Sequence, residues 1–164
     1  MTLPEPNALI DQLAAQIAPV LDSDCALIGI HTGGVWLRDA VIERLGGEYL
    51  LGELDVSFYR DDFAQGGLHA EVQPSRIPFE IEGRKLILFD DVLYTGRTVR
   101  AAVNLLFDYG RPSAIQLAVL IDRGGRELPV CADFTGLRLD LPASEHIDLL
   151  RDDAGVLSLV HGPW

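Results

Sequence analysis

The sequence predicts an α/β fold, a mostly parallel sheet flanked by helices, and two observations support this prediction. Short apolar runs of buried-strand length alternate with segments of helical periodicity along the chain. Polar, glycine-bearing segments follow three of the predicted strands, namely "HTGG", "FDDVLYTGRT" and "IDRGG". Alternating strands and helices imply right-handed crossovers and a parallel sheet covered on both faces. Because ligands of such sheets bind beyond the carboxyl ends of the strands, these segments predict one pocket.

The first elements are a helix, a strand and a second helix. Residues 7–21 place apolar side chains on one helical face, with Asn7 as the expected N-cap and Pro19 weakening the last turn. Residues 25–31 form an apolar run of strand length, and "GGVWLRDAVIERLGG" then indicates a glycine turn, a helix and a glycine stop. The next strand, "YLLGELDVSFYRDD", alternates only partly and ends in a charged cluster.

The second half of the chain carries the strongest strand, "RKLILFDD". It is preceded by residues 61–80, which are polar and rich in glycine and proline and predict a functional or mobile loop or hairpin. It is followed by a helix, "TGRTVRAAVNLLFDYG", and by another buried strand, "AIQLAVLIDRGG". The pieces "HIDLL" and "GVLSLV" are expected to be late strands. Because we find no repeat, linker or low-complexity tract, we expect a single domain over residues 1–164.

Composition and charge argue against several classes of protein. The net charge is −12, the pI is about 4.5 and residues 1–37 contain no Lys or Arg, which argues against broad binding to nucleic acid. No apolar run reaches the ~18 residues of a membrane span. We expect no signal peptide, because the first residues lack the basic segment that such peptides carry. Cys25 and Cys131 have neither CxxC spacing nor clustered histidines beside them, so we expect free thiols and a cytoplasmic protein.

The segment "LILFDDVLYTGRT", residues 86–98, carries the clearest chemistry. Its last residues lie where a turn becomes a helix, and free backbone N–H groups there form an anion site together with the helix dipole. The adjacent Asp90 and Asp91 can accept hydrogen bonds from ribose hydroxyls and can help to hold Mg²⁺. A sugar phosphate that carries further phosphates would satisfy both parts. The alternative is a solvated turn with a helix cap, and neither a Walker A loop nor a GxGxxG pattern is present.

This segment resembles the phosphoribosyl-pyrophosphate (PRPP) motif of type I phosphoribosyltransferases. Together with "LDVSFYRDDF", "DYGRP", "IQLAVLIDRGGRELP" and "ADFTG", it resembles the PyrR-type uracil phosphoribosyltransferases, which double as pyrimidine operon attenuators. The resemblance covers most of residues 25–136 and implies the type I phosphoribosyltransferase fold. It also implies conversion of uracil and PRPP to UMP and pyrophosphate with Mg²⁺, in pyrimidine salvage.

The resemblance gives roles to individual residues. The residues that it places around PRPP are Asp90, Asp91, Val92, Leu93, Tyr94, Thr95, Gly96, Arg97 and Thr98. Base binding, mainly through backbone groups, is implied at Ile121, Asp122 and Arg123. A local ion pair of Asp122 and Arg123 is the structural alternative. Residues 61–80 match a mobile lid that closes over the reacting centre.

The pyrophosphate loop departs from the family pattern. It is implied at Thr32, Gly33 and Gly34, where many relatives have Thr-Arg-Gly, so one cationic side chain is missing. Arg60, at the end of the neighbouring strand, is the residue expected to compensate. The alternative for the two glycines is a plain turn from strand to helix. For His31 and His69 we expect structural or surface roles, because the reaction needs no nucleophilic side chain.

Two other functions stay open. The first is an RNA-binding attenuator, but the basic residues of such relatives are depleted here, with Gly125, Cys131 and Leu137 at three of their positions and Arg126 retained. The second is a PRPP or nucleotide sensor without catalysis. The tail, residues 137–164, resembles the family least and is expected to form edge strands or a subunit contact, with Trp164 packed. A homodimer or higher homo-oligomer is expected from the resemblance alone.

Overall fold

The structure is a computed structural model that describes residues 3–57 and 74–164. Its main sheet has five parallel strands in the order β2-β1-β3-β4-β5, and β6 and β7 form a separate antiparallel pair. The predicted alternation of strands and helices and the largely parallel sheet are thereby confirmed. The elements are α1 (Pro6–Ile17), a 3₁₀ turn (Ala18–Val20), β1 (Ala26–Ile30), α2 (Gly33–Leu45), β2 (Leu50–Leu54), β3 (Lys85–Leu93), α3 (Arg97–Tyr109), β4 (Ala114–Asp122), β5 (Phe134–Arg138), β6 (Glu145–Arg151) and β7 (Leu157–Pro163).

The strand order creates a switch point between β1 and β3. The chain runs outward from β1 to β2 and then returns to place β3 on the other side of β1. The loops that leave β1 and β3 therefore diverge, and a crevice opens beyond the carboxyl ends of these two strands. This crevice is where the sequence predicted the converging polar segments.

The sheet is buried on both faces, which explains the continuous apolar runs of its central strands. Ile87 and Phe89 of β3 pack on the side of α1 and α2. Leu86 and Leu88 of the same strand pack on the opposite side, where α3 and the segment around Ile81 cover them. The β6–β7 hairpin adds two buried side chains, Ile147 and Leu149, to the α1 side.

Three details differ from the sequence predictions. Glu5 occupies the N-cap position of helix α1 without a side-chain capping bond, and Pro6 is the first helical residue. Asn7 lies inside the helix, where its Oδ1 accepts a hydrogen bond from Arg44 Nη2 at 2.8 Å. Proline suits this first position because its fixed φ is already helical and its missing N–H has no partner there in any case. Strand β3 continues to Leu93, beyond the predicted end at the acidic pair. Strand β5 was not among the predicted elements.

The two late strands are confirmed as the β6–β7 hairpin. Strand β6 of this hairpin contacts β3, so the tail lies over the crevice. Among the described helices, none has the length and apolar character that crossing a membrane requires.

Candidate functional site

A cleft of about 580 Å³ lies at the switch point of the sheet. The loops after β1 and β3 form two of its walls, Arg123 after β4 forms a third, and the β6–β7 hairpin closes the remaining side. The predicted pyrophosphate loop and the predicted PRPP motif therefore line one cavity, as expected for strand ends of a parallel sheet.

The loop after β1 packs directly on β3. A Cβ atom added to Gly33 would overlap the carboxylate of Asp91, and one added to Gly34 would overlap the carbonyl oxygen of Phe89. The peptide bond between His31 and Thr32, just before these glycines, is cis. The glycine pair thus has a packing reason, because only residues without Cβ allow α2 to begin this close to the acidic pair. The free backbone N–H groups at the start of α2 lie at the same place.

The acidic pair lies within β3, near its carboxyl end, rather than beyond the strand. Asp90 is buried, with 6% of its surface exposed, and is in register with Val119 of β4. Its Oδ1 accepts a hydrogen bond from the backbone N–H of Asp91 at 3.1 Å. Both aspartates line the cleft. The carboxylates are therefore held on the rigid sheet, next to the start of α2.

The turn from β3 into α3 has the form of an anion cradle. Gly96 is the N-cap of α3 with φ +92°, a conformation that glycine adopts without steric cost. Arg97 N–H donates to Thr95 Oγ1 at 3.2 Å, so this hydroxyl is oriented by the turn itself. The N-terminal end of this 13-residue helix, with its dipole, favours a bound phosphate.

The loop after β4 holds this cradle in place. The Arg126 guanidinium donates to the carbonyl oxygens of Tyr94 at 2.6 Å and Val130 at 3.0 Å, and it forms an ion pair with Asp122. The backbone N–H groups of Glu127 and Leu128 donate to the Thr95 carbonyl oxygen at 3.0 and 3.1 Å. Arg126 therefore links the ends of β3 and β4. The ion pair that Asp122 forms is with Arg126 and not, as the alternative expected, with Arg123.

Arg123 is the predicted base-binding residue that lines the cleft. Its side chain is buried, with the guanidinium carbon 3.9 Å from the centroid of the Tyr94 ring, and its Nη2 donates to the Pro142 carbonyl oxygen at 3.0 Å. The side chains of the other two predicted base-binding residues are engaged elsewhere: Ile121 is in the core, and Asp122 pairs with Arg126.

Sequence reasoning missed several residues of the cleft. Glu127 Oε2 accepts a hydrogen bond from Arg97 Nε at 2.7 Å at the edge of the phosphate cradle. On the hairpin side, the rings of His146 and Trp164 lie 5.0 Å apart, and His146 Nε2 lies 3.3 Å from Asp148 Oδ2. The only sequence signals were the apolar piece "HIDLL" and a tryptophan expected to pack on something.

A charged network stands behind the pyrophosphate loop. His31 Nε2 lies 2.9 Å from Glu53 Oε2, and Glu53 Oε1 lies 3.3 Å from Nη2 of the buried Arg38. Burial alone would raise the pKa of Glu53, but hydrogen bonds from His31 and Arg38 outweigh it and bring that pKa below its ordinary value of 4.5. Glu53 is thus held as a carboxylate next to the cleft.

The carboxylates fit a magnesium ion that arrives with its substrate. Mg²⁺ is usually bound by one or two carboxylates plus substrate phosphates rather than by an all-protein cage. Asp90 and Asp91 offer such a pair, and within residues 3–57 and 74–164 no group of three or more His, Cys, Asp or Glu side chains has the arrangement of a metal site. Arg60 and His69 lie outside the described residues, as does most of the predicted lid.

Comparisons with known proteins agree with this fold. Residues 4–147 match the family model of the phosphoribosyl transferase domain. The bifunctional protein PyrR of Pseudomonas fluorescens is 53% identical over 153 residues, which cover 91% of each chain. That of Pseudomonas syringae pv. tomato is 52% identical over 163 residues, 97% of this chain and 96% of the relative. The family resemblance seen in the sequence is thereby confirmed.

Solved structures show the same fold at low sequence identity. A hypoxanthine-guanine phosphoribosyltransferase from Bacillus anthracis superposes with a TM-score of 0.67 at 19% identity, covering 85% of this chain and 83% of that one. A hypoxanthine phosphoribosyltransferase from Staphylococcus aureus superposes with a TM-score of 0.62 at 17% identity, covering 82% and 73%.

Proposed function

The chain belongs to the phosphoribosyltransferase family, and we propose that it is a PyrR-type enzyme that converts uracil and PRPP to UMP and pyrophosphate. One observation supports this most directly. A single cleft holds, side by side, the anion cradle at the start of α3, the acidic pair of β3 and the glycine loop at the start of α2. These three parts match the 5′-phosphate, the ribose and the pyrophosphate of PRPP.

The cleft positions PRPP between two helix N-termini. The N–H groups of Thr95 to Thr98 would bind the 5′-phosphate, and those of Thr32 to Gly34 would bind the pyrophosphate. Asp90 and Asp91 would accept hydrogen bonds from the ribose hydroxyls and hold Mg²⁺, which phosphoribosyltransferases use with PRPP. When bound, the ion neutralises charge on the leaving pyrophosphate.

The reaction is a displacement at C1 of the ribose. The bond from C1 to the pyrophosphate oxygen breaks, the bond from C1 to N1 of uracil forms, and the N1 proton is released. Carboxylates close to the ribose favour the positive charge that develops on the ring, and the N–H groups of the glycine loop favour the negative charge on the leaving group. Residues 61–80 are proposed to close over the centre and exclude water.

Turnover can be tested with a matched pair of double variants. We would measure UMP formation from uracil, PRPP and Mg²⁺ for the native chain and for Asp90→Asn/Asp91→Asn. The rate of UMP formation is expected to fall at least about 100-fold, because the variant loses its contacts to both the ribose and the magnesium ion. The control, Asp152→Asn/Asp153→Asn, removes the same two charges from the β6–β7 turn, away from the cleft. Undiminished activity of the Asp90/Asp91 variant would refute the assigned site.

RNA binding is a second candidate because the relatives are named bifunctional. We propose that it is weak or lost in this chain. Arg126, the retained basic residue of the expected RNA surface, uses its guanidinium to hold the Tyr94 and Val130 carbonyl oxygens and Asp122. Helix α1 carries no Lys or Arg. A gel-shift assay with a pyrimidine-operon leader hairpin tests this, and sub-micromolar binding that needs the hairpin sequence would contradict it.

A sensor without catalysis makes a different prediction in the same experiment. PRPP or UMP would bind with an affinity that depends on Asp90 and Asp91, but no UMP would form.

Replacing uracil by cytosine or hypoxanthine in the turnover assay tests which base the enzyme uses. Turnover with hypoxanthine and not with uracil would reassign the substrate to the purines.

A further inference from the structure

Glu127 is an acidic side chain of the cleft to which the proposed reaction gives no role. Within the part of the chain that the structure describes, four acidic side chains and two arginines line the cleft: Asp90, Asp91, Glu127, Asp148, Arg97 and Arg123. The pair on β3 is assigned to the ribose and Mg²⁺, and Asp148 lies beside His146. A ligand with several phosphates is repelled by a carboxylate, so Glu127 opposes the binding of the proposed substrate.

The loop after β4 fixes the place of Glu127. Its backbone N–H donates to the Thr95 carbonyl oxygen at 3.0 Å. The residues that follow it pack on the turn before α3, since a Cβ atom added to Gly96 would lie 3.3 Å from Val130 and 3.5 Å from Leu128. The carboxylate is therefore attached to the anion cradle itself, although 52% of the side chain is exposed.

The partner of Glu127 is the arginine of the cradle. Glu127 Oε2 accepts a hydrogen bond from Arg97 Nε at 2.7 Å, a length typical of a charge-assisted bond. Arg97 is the first residue of α3, and its backbone N–H donates to Thr95 Oγ1. The other arginine of the cleft, Arg123, stacks on Tyr94. A phosphate that enters the cradle therefore competes with Glu127 for the Arg97 guanidinium.

The exposure of this ion pair decides which effect of Glu127 is larger. The Arg97 and Glu127 side chains are 43% and 52% exposed, and ion pairs of this kind contribute little to stability because both groups are partly solvated. Glu127 therefore does little to lock Arg97 in one orientation. Its negative charge still repels a phosphate dianion held in the same cradle, and this repulsion is screened by salt. The net effect of the carboxylate is a weaker hold on phosphate.

We propose that Glu127 competes with the 5′-phosphate for Arg97 and so lowers the affinity of the cleft for ligands that carry this phosphate. This inference rests on the proposed function and adds to it a residue outside the PRPP motif. Before a phosphate enters, Glu127 neutralises Arg97, and afterwards the two anions share the guanidinium. Because UMP keeps its 5′-phosphate after the pyrophosphate has left, Glu127 also weakens the hold of the enzyme on its product.

The experiment varies the charge at position 127 and the charge on the ligand. Calorimetry gives the dissociation constants of UMP and of its 5′-monomethyl ester, whose phosphate carries one negative charge instead of about two, at low and at high salt. The variants are Glu127→Gln, which removes the charge, and Glu127→Asp, which keeps it. Glu43→Gln is the matched control, because Glu43 also pairs with an arginine, Arg44 at 3.6 Å, but lies near the end of α2, outside the cleft lining.

The expected result is a gain in affinity that depends on charge. At low salt Glu127→Gln should bind UMP about fivefold to tenfold more tightly than the native chain, and the gain should shrink at high salt because salt screens the repulsion. The gain should also be smaller for the methyl ester, since the repulsion scales with the charge of the phosphate. Glu127→Asp and Glu43→Gln should both stay within about twofold of the native chain.

Different failures have different meanings. A lower affinity of Glu127→Gln for UMP would overturn the inference, because Glu127 would then position Arg97 for the phosphate. An unchanged affinity would overturn it too, and an equal gain in Glu43→Gln would assign the effect to the net charge of the chain. These three outcomes leave the proposed function intact. If the native chain bound no UMP and formed none from uracil and PRPP, the proposed function would fall and this inference with it.

Discussion

Gly33 and Asp91 are in direct contact across the ends of two neighbouring strands. A Cβ atom at position 33 would overlap the Asp91 carboxylate. The first turn of α2, whose N–H groups are free, therefore starts at the side chain that we assign to Mg²⁺ and the ribose. The two parts of the proposed site are built as one rigid unit, so a change in one is expected to displace the other.

The first prediction concerns this contact. Gly33→Ala is expected to lower kcat/KM for PRPP by about tenfold to 100-fold, because the new methyl group displaces Asp91. The free energy of unfolding should fall by only about 1–3 kcal/mol, as for other overpacked sites. Steady-state kinetics and urea titration measure the two effects. In the control, Gly162→Ala, the new Cβ would lie 3.7 Å from Cε1 of His146, an ordinary contact distance, so activity should stay native. Native kinetics in Gly33→Ala would contradict the coupling.

The central sheet was predictable because its strands are buried on both faces. Strands β1, β3 and β4 each contain a continuous apolar run, so they stand out from the helices between them. Strand β5, "FTGLR", has only one buried residue, and its short mixed sequence gives neither an apolar run nor a regular alternation. Edge strands of this kind are decided by tertiary pairing rather than by local pattern.

The acidic pair, the anion cradle and the glycine loop were predictable because each is a local sequence signal at a strand end. The side chains that reach the cleft from a distance were not. His146 and Trp164 lie on a hairpin whose position over β3 depends on packing against α1, and no local pattern in residues 137–164 encodes that position. Likewise, the Glu53 partner of His31 is visible only when β1 and β2 pair.

A second prediction tests the link between the strand ends. Arg126→Lys should lower the free energy of unfolding by about 2 kcal/mol, because an ammonium group cannot reach the Tyr94 and Val130 carbonyl oxygens and Asp122 together. The affinity for PRPP should fall as well, since the cradle loses its support. Urea titration and calorimetry measure these effects. Arg138→Lys on the exposed face of β5 is the control and should change neither quantity. Equal stabilities of both variants would show that Arg126 is dispensable.

A third prediction concerns the pH dependence of stability. The folded pKa of Glu53 is lowered, so its contribution is complete above the ordinary value of 4.5 and is lost as the pH falls through the folded value. Glu53→Gln should thus be less stable than the native chain at pH 7, by at most about 1 kcal/mol because a third of the side chain is exposed. The difference should be smaller at pH 3 than at pH 7. Urea titrations at both pH values, with Glu48→Gln as an exposed control, test this. A difference that persisted unchanged at pH 3 would contradict it.

The last prediction assigns the hairpin side of the cleft to the base. The phosphates of PRPP are proposed to bind at the starts of α2 and α3, and we propose that the ring of uracil lies toward the wall formed by Trp164 and His146. Trp164 is 73% exposed although it borders the cleft, so its ring can accept a second planar ring beside His146. Trp164→Ala should raise the KM for uracil about tenfold and leave the KM for PRPP near its native value. Val160→Ala removes an exposed apolar side chain from β7, the strand that ends just before Trp164; it lies outside the cleft lining and should leave both constants unchanged. If Trp164→Ala instead raised the KM for PRPP alone, the base would have to lie on the opposite side of the ribose from the hairpin.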